Sequence, residues 1–98
     1  MRDLARLTAD DFEPFVGDDF YVTLDGSDSL KVVLLRVRRL GERWGYREPF
    51  LVHFLGPRTP VLSHETHILV NPEFGELAVF VGPVIANDDG TTYESVFT

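Results

Sequence analysis

THILVNPEFGELAVFVGP, residues 66–83, is the stretch of the chain that decides the fold. It holds two runs of β-branched and aromatic residues, separated by the turn-forming residues 71–75. Two such runs around a long turn predict a β-hairpin. A second turn follows at residues 87–90, and the alternation of polar and apolar side chains over residues 92–97 predicts a third strand. The last third of the chain is therefore predicted to be a β-meander.

The residues before this meander show the same kind of pattern. Residues 20–24 and 50–55 alternate, so that every second side chain of each run lies on one face of a strand. The two apolar sets are Phe20, Val22 and Leu24 in the first run and Phe50, Val52 and Phe54 in the second. Residues 30–40 form another predicted strand, and because Val32 to Leu35 are all apolar we expect both of its faces to be buried there.

A short helical turn is predicted before the first strand. Thr8 is a residue type favoured at helix N-caps, acids follow at Asp10 and Asp11, and Pro14 marks the expected end. About six strands with little helix predict an all-β fold, a single small antiparallel barrel or sandwich. The 98 residues are enough for one core, so we predict one domain over residues 1–98.

Composition narrows the classes of protein that fit. The chain has no cysteine, which excludes disulfides and thiol chemistry, and 44% of its residues are hydrophobic, enough for an ordinary core. Residues 1–11 carry acids where a signal peptide would be apolar, and the uncharged residues 77–87 are too few to span a bilayer. We expect a soluble domain without a membrane partner, cytoplasmic or part of an assembly that uses no classical signal peptide.

The net charge of −7 is unevenly distributed. Residues 1–28 sum to −6, residues 29–60 to +5 and residues 61–98 to −6. Overall acidity opposes nonspecific binding to nucleic acid, because phosphates would be repelled. We expect the basic middle third to lie between acidic neighbours and to pair with them, as is usual for the surface of a soluble domain.

The loop at residues 41–48 is the predicted contact surface. Arg43, Trp44, Tyr46 and Arg47 are the residue types that dominate binding hot spots, and loops often carry binding residues. Three other interpretations remain open. In the first, Trp44 would fold back to cap an open barrel end. In the second, the loop would stack on single-stranded nucleic acid, and in the third, Trp44 and Tyr46 would hold a small ligand or carbohydrate at the barrel mouth.

The histidines and acids predict no catalytic residue, metal site or cofactor. His64 and His67 are three residues apart in a predicted strand, whereas zinc proteases use two histidines four apart on a helix. Glu65 and His67 share a strand face, so a site formed with His53 from a neighbouring strand is the one arrangement that would support an enzyme. Paired acids such as Asp88 and Asp89 lie in predicted turns, where aspartate bonds to nearby backbone N–H groups.

Five segments resemble a family of short bacterial domains of unknown function. They are FEPFVGDDF at 12–20, FLGP at 54–57, LSHETH at 62–67, NPEFGELAVFVGP at 71–83 and YESVF at 93–97. The resemblance implies a stand-alone all-β domain without known catalytic residues. It also implies an accessory partner of tail-fibre-like or other surface-assembly proteins.

Together these observations predict a non-catalytic protein-interaction or structural domain with a protein partner. Exposed strand edges and the loop at 41–48 are the expected contact surfaces. The alternative is a β-barrel that binds a small ligand or a carbohydrate.

Overall fold

The computed structural model describes residues 1–26, 28–42 and 47–98, which contain six antiparallel strands, one short α-helix and two 3-10 helices, the first at Leu4–Arg6. The strands are β1 (Asp19–Thr23), β2 (Ser29–Arg39), β3 (Phe50–Gly56), β4 (Glu65–Asn71), β5 (Gly75–Asn87) and β6 (Gly90–Phe97). They close into a barrel in the order β1-β2-β3-β6-β5-β4, in which β4 also pairs with β1. The fold-class prediction is confirmed, and of its two forms the barrel is the one observed.

The barrel interior follows the predicted alternation. Phe20 and Val22 of β1 and the three apolar residues Phe50, Val52 and Phe54 of β3 are buried in one core. The prediction of double burial in β2 was wrong. Val32 and Leu34 are buried inside the barrel, but Val33 and Leu35 are only half-buried because the outer face of a barrel wall meets solvent.

An amino-terminal segment closes one end of the barrel. The helix α1 (Ala9–Phe12) is followed by a 3-10 turn over Glu13–Phe15, so helical structure ends one residue after Pro14, the predicted end. Thr8 is the N-cap, and its backbone N–H donates to the Asp11 carboxylate at 2.8 Å. The fully buried Phe12 ring contacts the rings of three strand or turn residues, Phe50, Phe74 and Phe97, at centroid distances of 5.8, 4.9 and 5.4 Å.

Arg39 at the end of β2 ties this segment to the barrel. Its guanidinium donates to Glu48 at 3.0 Å, Asp10 at 2.6 Å and Glu13 at 2.9 Å. The hydrogen bonds to Glu48 and then Asp10 raise the pKa of Arg39 above its usual range, so this side chain stays charged at any working pH. The expected pairing of the basic middle third with acidic neighbours is therefore seen at Arg39.

The segment between β3 and β4 covers the other end. Leu62 is buried there, and its backbone N–H donates to the Tyr93 hydroxyl at 2.9 Å inside the barrel. This bond joins residues 31 positions apart in sequence.

β5 is longer than the hairpin pattern indicates. It continues through Gly82 and Pro83 to Asn87, with a register shift between Pro83 and Ile85 where it pairs with β6. A bulge of this kind accommodates a proline that cannot donate to a regular ladder. Gly90 ends the second turn at φ +133°, a conformation that side-chain-bearing residues rarely adopt.

Candidate functional site

Only one of the four predicted contact residues lies in the described part of the chain. Arg43, Trp44 and Tyr46 fall outside the described residues. The Arg47 guanidinium donates to the backbone oxygens of Leu4 and Leu7, both at 2.7 Å, and to that of Thr98 at 3.1 Å. Its contacts therefore hold the two ends of the chain beside the barrel, and a role in partner binding stays a prediction.

The set of His53, Glu65 and His67 does not converge. β3, which carries His53, lies between β2 and β6, whereas β4, which carries Glu65 and His67, lies between β1 and β5. The hypothesis of a site built from these three residues was wrong, because strand neighbours were assigned without the strand order. Glu65 accepts a hydrogen bond from the Ser63 hydroxyl at 2.7 Å, and Nε2 of His67 lies 2.9 Å from the Ser63 carbonyl.

His53 instead joins two charged side chains on the outer barrel wall. Its Nδ1 lies 2.6 Å from Nη1 of Arg36 in β2, and its Nε2 lies 2.8 Å from Oε2 of Glu94 in β6. An arginine has donors and no acceptor, so Nδ1 must accept and Nε2 must carry the proton that Glu94 accepts. Although His53 points outward, it is only 8% exposed. The arrangement therefore holds a neutral histidine of one tautomer across three strands.

Sequence reasoning missed this trio for a definite reason. The register places Arg36 and Glu94 opposite His53 on its two sides, and Leu35 lies in a register shift that precedes Arg36 in the β2–β3 pair. Neither the identity of the strands beside β3 nor the register shift at Leu35 has a local sequence signal.

Three exposed apolar side chains lie on the outer wall formed by β4, β5 and β6. Phe80 is 61% exposed, Val96 52% and Ile68 37%. Ile68 pairs with Ala78 in the β4–β5 register. We call these four residues, Ile68, Ala78, Phe80 and Val96, the β4–β6 face.

The strand register makes this face continuous. Gly82 pairs with Glu94, so Phe80 and Val96, two residues further along each antiparallel strand, lie side by side. The Ser95 hydroxyl donates to the Phe80 carbonyl at 2.8 Å, which confirms that the strands are neighbours at this height.

The charge of these three strands has one sign. β4, β5 and β6 contain Glu65, Glu76 and Glu94 and neither lysine nor arginine. The β4–β6 face is thus an apolar patch on an acidic wall.

The closed barrel changes two other expectations about binding. Each strand of the described barrel has a neighbour on both sides, so no whole strand is an edge strand, and contact through the shorter unpaired stretches stays a prediction. The core cavity lined by Val22, Phe54 and Tyr93, among others, measures about 10 Å³, no more than a single water needs. A ligand among those side chains has no room, and the alternative of a ligand at the barrel mouth would depend on Trp44 and Tyr46.

Two further observations bear on the kind of protein this is. The described residues contain no group of three or more His, Cys, Asp or Glu placed to hold a metal ion. Within the same residues, no helix is both long and apolar enough to cross a membrane.

Comparison with known proteins identifies a family but no activity. Residues 7–97 match the model of a family described as "Domain of unknown function (DUF6916)". No curated protein and no solved structure matches the chain. The match confirms the predicted resemblance to a domain family of unknown function.

Proposed function

Because the chain belongs to the DUF6916 family of domains of unknown function, whose description gives no activity, we propose a function from its surface. The protein is a non-catalytic domain that binds another protein through the β4–β6 face.

The observation that supports this proposal is the exposure of Phe80 and Val96. The inward side chains of β5 and β6 already fill the core, so the fold gains little from a phenylalanine on the outer wall. Contiguous apolar patches on the surface of small domains are typical of contact surfaces, and large aromatic residues at their centre supply much of the binding free energy.

The charge around the face indicates what kind of partner fits. A second copy placed on the same face would bring the acidic strands β4, β5 and β6 of two molecules together, which is unfavourable. A different chain with apolar side chains surrounded by lysine or arginine complements both the patch and its charge. We therefore propose a partner with an apolar centre and a basic rim.

We further propose that this partner is a fibre-like or surface-appendage protein, with the domain as its accessory or assembly factor. The support is the resemblance of the five sequence segments described above. A location in the cytoplasm, or within an assembly that uses no classical signal peptide, agrees with this role. The residues Arg43, Trp44 and Tyr46 remain predicted contact residues for the same partner.

Affinity capture from the native host with matched variants tests the proposal. Phe80→Ser and Val96→Ser should each lose a partner that the unaltered chain captures, by roughly 30-fold in affinity for a hot-spot residue. Because both side chains are exposed, we expect stability to change by less than about 0.5 kcal/mol. Raised salt should also weaken capture.

Val61→Ser is the control. Val61 is 53% exposed, nearly the same as Val96, but it lies between β3 and β4 rather than on the β4–β6 face. It should keep full binding. Failure to capture any protein, or equal capture by the Phe80→Ser and Val61→Ser variants, would rule out this function.

A further inference from the structure

We propose that Arg36, His53 and Glu94 form a proton-operated switch on the outer wall of the barrel. The switch is closed while His53 is neutral, and a proton on its Nδ1 opens the Arg36 side while keeping the Glu94 side.

The geometry dictates this response. In the closed form, Nδ1 accepts from Arg36 over 2.6 Å and Nε2–H donates to Glu94 over 2.8 Å. A second proton on the ring would put an N–H at Nδ1 directly against the N–H of a cation, so the two must separate. The new imidazolium would still donate from Nε2 to Glu94, now as an ion pair. Arg36 is the partner free to move, because its side chain is exposed.

The charged groups around His53 are few in the described structure. β2 contributes Arg36 and Arg38, which both lie on the outer face, and β6 contributes Glu94. β3 itself has no other titratable residue. Beyond Glu94, the His64 ring lies over Gly82 of β5, where no side chain larger than glycine would fit without moving the ring. Proton uptake by His53 raises the summed charge of Arg36, His53 and Glu94 from zero to +1.

This change takes place beside the proposed docking surface. Glu94 and Val96 lie on the same outer face of β6, two residues apart. Glu94 pairs with Gly82, which lies two residues from Phe80 in β5. A positive charge there would repel a partner with a basic rim. Acidification that adds this proton would then release the partner, a consequence that rests on the proposed function.

Nitrogen NMR of the His53 ring tests the switch without any partner. In the unaltered protein at pH 8, we expect an unprotonated Nδ1 and a protonated Nε2. Arg36→Met removes the opposing cation and its hydrogen bond, so the ring should take up its second proton at a higher pH than in the unaltered protein. Glu94→Gln removes the carboxylate that stabilises the imidazolium, so uptake should move to lower pH.

Arg38→Met is the matched control, since it removes an exposed arginine from the same face of the same strand. It should move proton uptake by His53 much less than Arg36→Met does. A protonated Nδ1 at pH 8, or equal effects of the two arginine variants, would overturn the switch.

A second measurement separates the switch from its consequence. Capture of the partner should weaken at pH 5.5 relative to pH 7.5 for the unaltered chain, and less so for His53→Gln, whose side chain takes up no proton. If the NMR results hold and capture is independent of pH in both proteins, the switch stands and its coupling to docking is wrong.

Discussion

At the scale of single residues, the hydroxyl of Tyr93 makes the hydrogen bond whose loss is easiest to measure. It accepts from the buried N–H of Leu62 at 2.9 Å. Tyr93→Phe would leave that N–H without a partner away from water, so we expect a loss of about 1–3 kcal/mol in the free energy of unfolding. Urea denaturation measures it.

Tyr21→Phe is the control for this prediction, because Tyr21 is an exposed tyrosine on β1. Its effect should stay within about 0.5 kcal/mol. Equal effects of the two substitutions would show that the bond to Leu62 contributes nothing to stability.

Some residue-level features could be predicted from sequence and others could not. Thr8 was identified as a helix start because N-capping depends on the next three residues. The alternation of Phe50, Val52 and Phe54 identified an inward face because this pattern also depends only on nearby residues. The bonds of His53 to Arg36 and Glu94 span 17 and 41 positions, and no local pattern reports such distances.

At the scale of elements, Arg47 connects the loop after β2 to both ends of the chain. Arg47→Met removes its bonds to the carbonyls of Leu4, Leu7 and Thr98, and we expect a loss of about 1–3 kcal/mol in the free energy of unfolding. Arg47→Lys should recover only part of it, because an ammonium cannot reproduce the fork of donors. Denaturant unfolding measures both, and a loss under about 0.5 kcal/mol for Arg47→Met would contradict this role.

The prediction about Arg47 also separates two roles of the loop. A residue that only contacts a partner would change binding and leave stability unaltered. If Arg47→Met lowers stability as expected, its effect on capture must be judged against that loss, whereas Phe80→Ser carries no such complication.

The length of β5 shows a limit of element prediction. Gly82 and Pro83 read as the end of a strand, yet the strand continues because a bulge takes up the irregular pairing with β6. His64 occupies the space over Gly82, so this glycine serves close packing rather than a turn. Alternation and turn residues predicted the right number of strands, while the bulge that lets β5 continue has no local sequence signal.

At the scale of the whole molecule, barrel closure is what sequence alone left open. Strand count and spacing allowed either a barrel or a sandwich, because both bury one face of each strand. The pairing of β4 with β1, at Tyr21 with Val70 and Val22 with Leu69, completes the barrel. Closure leaves no whole edge strand and makes the outer wall, where Phe80 is exposed, the main open surface of the sheet.

Closure of the barrel also determines where the unevenly distributed charge lies on the surface. The acidic last third of the sequence supplies three adjacent strands, β4, β5 and β6, so the sign seen in the sequence becomes the sign of one wall. The contact surfaces predicted from sequence were the strand edges and the loop at 41–48, because exposure of an apolar residue within a strand depends on which face points outward.

Photocrosslinking from the β4–β6 face in the native host tests the central claim most directly. With p-benzoylphenylalanine in place of Phe80, we predict a covalent adduct with one different protein, and with the same group in place of Val61 we predict none. An adduct at both positions, no adduct at position 80, or an adduct with a second copy of this chain would contradict the proposed docking face and its partner.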